Sequence, residues 1–222
     1  YRSGDTRCLC PRASRNRFSL MVSRPAVFLD RDGVINQEFE YVHRIDDFHF
    51  IDGVFDACRK MSKAGFRLVV ITNQAGIARG YYTEDDFNQL TKWMLEKFSQ
   101  HGIEIDDVYY CPHHPIHGVG SYRRVCDCRK PGPEMILRAA REHSLDLSQS
   151  ILVGDKASDI DAGKAAGLGC CVLVLSGHAL DSKDLNKADI VFEDLPAVAN
   201  ALVKNQLCVD DTYKKPGIWD HN

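Results

Sequence analysis

The chain has 222 residues, of which 44% are hydrophobic and 27% are charged, values that suit a globular α/β protein with a full core. The formal net charge of −3 at pH 7 argues against a partner that needs a strongly basic surface, such as nucleic acid or an anionic membrane. No apolar run in the sequence reaches the roughly 18 residues that a membrane-spanning helix requires.

The ends of the chain differ in composition from its middle. Residues 1–24 hold six arginines and one acid, as in an Arg-rich targeting peptide, but they show no apolar helical face. We therefore expect a disordered extension there, or translated sequence upstream of a start at Met21. Residues 205–222 lack clear periodicity, and we expect a loose tail. A single domain is predicted for residues 25–204.

Apolar runs alternate with helical patterns along the middle of the chain. In chain order, we predict a strand at 26–29, an extended piece at 48–51, a helix over 54–64, a strand at 68–71, a helix capped by Thr83 and ended by Gly102, a strand at 105–110, a helix over 133–143, a strand at 151–153, a helix over 159–166, and strands at 171–175 and 190–192. This alternation predicts a parallel sheet with helices on both faces.

Ligands of such sheets bind beyond the carboxyl ends of the strands, so the residues that follow each strand matter most. Two carboxylates, Asp30 and Asp32, follow the first strand and precede Gly33. Carboxylates beside an apolar strand are costly unless something compensates their charge. One of them could attack phosphorus or bind Mg²⁺ while the other transfers a proton. The alternative is a simple Asp-Gly turn.

Later strand ends supply the other groups that phosphoryl transfer requires. Thr72 offers a hydroxyl and Lys130 a cation, and Asp155 could complete a Mg²⁺ site with Asp30. Asp159 begins the next predicted helix, where it could support that site. Taken singly, each residue has an ordinary structural explanation, such as a strand end, a solvated lysine or a turn.

In this order and at these positions, the residues match four motifs, and the chain resembles the haloacid dehalogenase-like phosphohydrolases over residues 25–203. The resemblance implies a capless, Rossmann-like three-layer α/β sandwich with a mainly parallel sheet. It also implies that Asp30 is the nucleophile, that Asp32 is the general acid/base, and that Thr72 and Lys130 stabilise the phosphoryl group. The Mg²⁺ ligands that it implies are Asp30, Asp32, Asp155 and Lys156, with Asp159 in support.

The region 111–130 has no periodicity and needs its own explanation. Cys111, His113, Cys126 and Cys128 offer three thiolates and one imidazole, the donor set of a closed, structural zinc site. His114 and His117 are competing candidates for the histidine ligand, and unliganded thiols are the alternative to zinc. Because the loop ends at Lys130, a bound zinc ion would fix the approach of that lysine.

Two branches of the family carry a zinc loop before the motif lysine: the D,D-heptose 1,7-bisphosphate 7-phosphatases and the histidinol-phosphate phosphatases. The run Gly76-Ile-Ala-Arg-Gly80 and the long stretch between the zinc half-sites make the chain more similar to the heptose branch. That resemblance implies removal of the 7-phosphate from heptose bisphosphate, on the route to nucleotide-activated heptose for lipopolysaccharide core. Histidinol-phosphate hydrolysis is the first alternative, and an inactive zinc-containing binding module is the second.

The same resemblance predicts the substrate contacts, with Arg129 on the 1-phosphate because guanidinium binds phosphate through two parallel bonds. The alternative for Arg129 is a pair with Asp127 or another surface acid. Besides the catalytic groups, the predicted contacts are Arg31, Glu38, Phe39, Glu40, Tyr41, Asn73, Gln74, Ala75, Arg129 and Lys156. We expect a phosphorylated sugar as the only partner, with no nucleic acid and no membrane, and a monomer. The odd count of nine cysteines favours reduced thiols and a cytoplasmic location.

Overall fold

The computed structural model describes residues 23–179 and 181–207. The expectations for residues 1–22 and 208–222 lie outside the described residues. Among the described helices, none is both long and apolar enough to cross a membrane.

Six parallel strands form one sheet in the order β3-β2-β1-β4-β5-β6. The strands are β1 (Ala26–Leu29), β2 (Arg67–Asn73), β3 (Asp107–Cys111), β4 (Ile151–Gly154), β5 (Cys170–Val174) and β6 (Ile190–Phe192). The chain leaves β1 toward β2 and β3 on one side, and β4 then returns to the other side of β1. This change of direction places the carboxyl ends of β1, β2 and β4 around one crevice, where ligands bind in such sheets.

Helices cover both faces of the sheet and complete the predicted three-layer sandwich. They are α1 (Val54–Lys63), α2 (Ala75–Arg79), α3 (Glu84–Gln100), α4 (Glu134–His143), α5 (Ala157–Ala166), α6 (Ser182–Leu185) and α7 (Leu195–Val203). Alternate residues of β1 point to opposite faces: Val27 and Leu29 join the core beneath α1, α3 and α7, and Phe28 joins the core beneath α4 and α5. The continuous apolar strands therefore reflect burial on both faces, as the sequence predicts.

The sequence locates most of these elements within a few residues. In α3, the Thr83 hydroxyl accepts from the backbone N–H of Asp86, whose carboxylate accepts from the N–H of Thr83, so the predicted cap is a full capping box. The extended piece predicted at 48–51 is reduced to one bridge, between Phe50 and Asn36, and a 3₁₀ turn precedes it at Ile45–Asp47. The helices α2, α6 and α7 are absent from the sequence prediction.

Candidate active site

Asp30 lies at the centre of the crevice, directly after β1. Its backbone N–H donates to the carbonyl of Val153 in β4, which fixes the start of the loop. Its Oδ1 atom accepts from the N–H of Arg31 at 2.7 Å and lies 2.9 Å from Nζ of Lys130. Burial raises the pKa of Asp30 to about 6, although the nearby Lys130 acts in the opposite direction. Asp30 is thus an almost buried carboxylate that depends on neighbouring cations for its charge.

Lys130 supplies one such cation from the loop that precedes α4. Its Nζ atom lies 2.9 Å from Asp30 and 2.6 Å from Asp159, and it donates to the carbonyl of Ile71 at 3.1 Å. Burial lowers the pKa of Lys130, but the charges of Asp159 and Asp30 outweigh that effect and raise the pKa above its usual value. The side chain of Asn73 binds both the N–H and the carbonyl of Lys130 and so anchors the lysine.

Asp32 is held by three side chains at the mouth of the same crevice. Its carboxylate accepts from Arg31 Nη2 at 2.9 Å, from Asn36 Nδ2 at 3.0 Å and, more weakly, from Gln74 Nε2 at 3.4 Å. The guanidinium of Arg31 is buried and also donates to the carbonyl of Val42, so this predicted substrate contact uses its side chain to orient Asp32. The side chain of Asp32 remains 17% exposed, which leaves a carboxylate oxygen accessible to a proton donor or acceptor.

Asp155 adds a second buried carboxylate beside Asp30, directly after β4. Its Oδ2 atom accepts from the backbone N–H and from Nδ1 of His178, whereas its buried Oδ1 atom has no hydrogen-bond partner. Burial raises the pKa of Asp155, and the charge of Asp30 raises it further. Two glycines allow this approach, since a Cβ atom at Gly33 or Gly177 would lie 2.5 or 2.1 Å from Oδ2.

These carboxylates fit a hard divalent cation. Asp30, Asp155 and Asp159 each offer one carboxylate oxygen, and these three oxygens lie within 4.8 Å of one another. The buried Oδ1 atom of Asp155 has no hydrogen-bond partner, and a bound cation would supply its missing interaction. Asp159 already binds Lys130 and caps α5 through the N–H of Lys156, in keeping with a supporting role. The carboxylate of Asp32 and the ammonium of Lys156 lie outside this group, so any contact with the metal would be through their backbones.

The segment after β1 folds toward the crevice at Glu38. Glu38 lies 3.8 Å from both Lys156 Nζ and His178 Nδ1, and burial followed by the charge of Asp32 raises its pKa. Phe39 is half exposed, and Tyr41 contacts the ring of Tyr81 edge-on at a centroid distance of 4.9 Å. Glu38 therefore lies beside Asp155 and His178, with its carboxylate within 4.8 Å of both.

The four predicted zinc ligands converge in the loop after β3. The Sγ atoms of Cys111, Cys126 and Cys128 lie 3.2–3.5 Å apart, and Nδ1 of His113 lies 3.7 Å from Cys111 and 3.5 Å from Cys128. With Zn–S bonds of about 2.3 Å and Zn–N bonds of about 2.0 Å, the ligands of a tetrahedral site lie about 3.6–3.8 Å apart. The Sγ atoms are a few tenths of an ångström closer than this, so a small outward shift would admit the ion. Three thiols and one imidazole would fill all four positions, as in a closed structural zinc site.

The competing histidines have other contacts. Nδ1 of His114 accepts from the backbone N–H groups of Ile116 and His117, and the rings of His114 and His117 face each other at 4.9 Å. Arg129 donates to the carbonyl of His113 at 3.2 Å, and not to Asp127, so its guanidinium lies against the zinc loop.

The chain is similar to known proteins in sequence and in fold. A family model described as HAD-hydrolase-like matches residues 127–198. The D-glycero-beta-D-manno-heptose-1,7-bisphosphate 7-phosphatase of Escherichia coli K12 is 49% identical over 184 residues, covering 83% of this chain and 96% of that protein. Its Vibrio cholerae counterpart is 46% identical over 183 residues, covering 82% and 98%. A solved D,D-heptose 1,7-bisphosphate phosphatase from B. bronchiseptica, complexed with magnesium and phosphate, is 33% identical with a TM-score of 0.71, covering 82% of this chain and 99% of that chain.

The chain belongs to the heptose-bisphosphate phosphatase family of haloacid dehalogenase-like hydrolases. Within this family fold, the structure adds residues that sequence reasoning missed. His178 contacts Asp155 from the segment after β5, and Tyr82 donates to Gln74 beside Thr72. No motif marks either residue: His178 lies 23 residues from Asp155, and Tyr82 lies eight residues from Gln74, beyond helix α2.

Substitution of Lys130 by Met tests the buried charge balance of the heptose-bisphosphate phosphatase site. Breaking a buried ion pair costs about 3–5 kcal/mol, since it leaves a charge without a partner. Lys130 lowers the pKa of Asp30, so its loss raises a folded-state pKa that burial already places near 6. A carboxyl whose pKa is higher in the folded than in the unfolded state loses stability as pH rises.

We therefore expect Lys130→Met to lose more free energy of unfolding at pH 8 than at pH 5.5, relative to wild type, in urea titrations without Mg²⁺. Lys63→Met, which removes an exposed lysine, is the control and should change little at either pH. An equal loss at both pH values would contradict the proposed coupling between Lys130 and Asp30.

Proposed function

We propose that this protein hydrolyses the 7-phosphate of D-glycero-D-manno-heptose 1,7-bisphosphate to give heptose 1-phosphate and inorganic phosphate. One observation carries the proposal: two relatives named for this activity are 49% and 46% identical to the chain. The matched region covers 96% and 98% of their lengths. The convergence of Asp30, Asp32, Thr72 and Lys130 in one crevice supports the same chemistry. The product would serve nucleotide-activated heptose synthesis for lipopolysaccharide core.

The proposed reaction has two steps. A carboxylate oxygen of Asp30 forms a bond to phosphorus while the bond between phosphorus and the sugar oxygen breaks, and Asp32 donates a proton to that oxygen. Water then attacks the aspartyl-phosphate, with Asp32 accepting its proton, and phosphate is released. Lys130 and the Thr72 hydroxyl stabilise the charge on the phosphoryl oxygens. When bound near Asp30 and Asp155, Mg²⁺ would neutralise part of the same charge.

For the rest of the substrate, we propose that Arg129 binds the 1-phosphate. The guanidinium of Arg129 lies against the zinc loop, and Arg129 is partly exposed and directly precedes Lys130. Glu38, Phe39, Glu40 and Tyr41 would close over the sugar from the other side. We also propose that the protein is a cytoplasmic monomer. Cys58, Cys111, Cys126 and Cys128 are thiols, as is usual in a reducing compartment.

The decisive experiment compares kcat/KM for phosphate release from both anomers of heptose 1,7-bisphosphate and from histidinol phosphate, with and without Mg²⁺. We expect phosphate release that depends on Mg²⁺. We also expect kcat/KM to be at least about 100-fold higher for a heptose bisphosphate than for histidinol phosphate, because histidinol phosphate would leave polar groups of the site without hydrogen-bond partners. The beta anomer should be preferred, following the names of the relatives. Preference for histidinol phosphate would overturn the substrate assignment, and no release from any substrate would indicate a binding module.

A further inference from the structure

Tyr82 lies behind the catalytic groups, and among the described residues its hydrogen bond toward them runs through Gln74. Its hydroxyl lies 2.5 Å from Gln74 Oε1, and Gln74 Nε2 lies 2.8 Å from Thr72 Oγ1 and 3.4 Å from Asp32 Oδ2. Tyr82, Gln74 and Thr72 are all buried. A chain of hydrogen bonds, the relay, therefore runs from Tyr82 through Gln74 to Thr72 and Asp32, which are two groups of the proposed reaction.

An amide can be rotated by 180°, and the orientation of Gln74 decides what Thr72 can do. With Nε2 toward Thr72, the Thr72 oxygen accepts a hydrogen bond and its own proton is available to a phosphoryl oxygen. In the reverse orientation, Gln74 Oε1 would accept the Thr72 proton and would also face the carboxylate of Asp32. The hydroxyl of Tyr82 favours the first orientation, because its proton is donated to Oε1. In the reverse orientation the hydroxyl could only accept from Nε2, and its own proton would lose the one acceptor that it has among the described residues.

The hydroxyl of Tyr82 is well suited to this task. Burial raises its pKa well above the usual value, so it keeps its proton at neutral pH. The ring is stacked on His43, with a centroid distance of 4.8 Å and an interplanar angle of 3°. Gly76 makes room for it, since a Cβ atom there would lie 2.1 Å from Cε1 of Tyr82. The position of the hydroxyl is thus set by packing and does not depend on a substrate.

We propose that Tyr82 is a positioning residue that holds the Gln74 amide with its nitrogen toward Thr72 and Asp32, and thereby keeps the Thr72 proton available to the substrate's phosphoryl group. This inference rests on the proposed phosphatase function. It assigns to Gln74 an indirect role, in place of the direct substrate contact that the sequence predicts. Tyr82 does not touch the reacting atoms, and its effect on catalysis passes through Gln74.

The test is a double-mutant cycle of Tyr82→Phe and Gln74→Met, with each variant checked for its thermal midpoint. We expect Tyr82→Phe alone to lower kcat about three- to tenfold, the value of one hydrogen bond, with KM nearly unchanged. In the Gln74→Met background, which has no amide to orient, the same substitution should change kcat by less than about twofold. Tyr109→Phe is the matched control, because it removes another buried tyrosine hydroxyl, one that donates to Glu142 far from the crevice.

The outcomes separate the relay from the proposed function. The relay would be overturned if Tyr82→Phe lowered kcat equally in both backgrounds, or did not lower it at all. Phosphate release by the wild-type protein would still support the proposed phosphatase function. Absence of release from wild type would reject the phosphatase itself. In that case, the side-chain amide signals of ¹⁵N-labelled Gln74 still test the orientation. Unchanged signals in Tyr82→Phe would overturn the relay, and a marked shift would support it.

Discussion

Asp30→Asn is expected to lower the rate of phosphate release on the order of 10⁴-fold or more, because an amide cannot attack phosphorus to form the acyl-phosphate bond. The substitution keeps the size of the side chain in a buried site beside Lys130. Burial raises the pKa of Asp30 to about 6, so a neutral amide removes a charge that the fold disfavours. Lys130 also keeps its ion pair with Asp159 at 2.6 Å, so no buried charge is left without a partner. We therefore expect the thermal midpoint to change by no more than a few degrees.

The measurement is phosphate release under single-turnover and steady-state conditions, combined with trapping of the aspartyl-phosphate by borohydride reduction and mass spectrometry. Wild type should yield a modified Asp30, and the variant should yield none. Asp161→Asn, which alters a partly exposed acid paired with Lys187 on the surface, should retain full activity. Asp30→Asn with more than about a tenth of wild-type activity would exclude Asp30 as the nucleophile.

The sequence predicts the sheet well because most of its strands, such as β1, β4 and β5, are short apolar runs. β1 and β6 have the predicted bounds, and β2, β3, β4 and β5 differ by one or two residues at their ends. Parallel strands then place their carboxyl ends together without further information. The juxtaposition of Asp30, Thr72 and Asp155 follows from topology alone, since β1 lies between β2 and β4.

What the sequence does not predict depends on side-chain directions and long loops. The side-chain amide of Asn73 binds the backbone of Lys130, 57 residues away, and the sequence gives no sign of this contact. Contact of Asn73 with the substrate stays a prediction. Arg31 turns inward to Asp32, and the ring of Phe87 lies 5.8 Å from its guanidinium. Hydropathy does not distinguish a polar side chain that faces the substrate from one that supports another residue. Such contacts are decided by packing, which a linear pattern does not record.

Helix α7 is absent from the sequence prediction for another reason, since the signals that start a helix are present in its sequence. Asp194 accepts from the N–H of Ala197 as an N-cap, and Pro196 lies in the first turn, where proline is tolerated. The helix itself is strongly apolar and packs against α1, and its Leu195, Val198 and Leu202 are buried. A helix that is apolar on most sides lacks the amphipathic period by which the other helices are recognised.

Loss of zinc is expected to abolish activity even with Mg²⁺ in excess, because the loop that carries the ligands also delivers the catalytic lysine. Cys128 is two residues before Lys130, and the Lys130 backbone is clamped by Asn73. Without the metal, three thiols and an imidazole no longer hold the 20-residue loop from 111 to 130, which has only one short 3₁₀ turn. Binding energies of structural zinc reach about 10 kcal/mol, so the loop should lose its order.

His113→Gln and His117→Gln form a matched pair for this test, since both alter a histidine of the same loop. Only His113 directs a ring nitrogen toward the three Sγ atoms, whereas His117 is exposed and faces His114. We expect His113→Gln to lose bound zinc, measured by mass spectrometry of the metal, together with at least about 100-fold in kcat/KM, while His117→Gln keeps both. Chelation of wild type should reproduce the loss, and added Zn²⁺ should reverse it. Full activity of a zinc-free protein would show that Asn73 and the ion pairs of Lys130 suffice to hold the lysine in place.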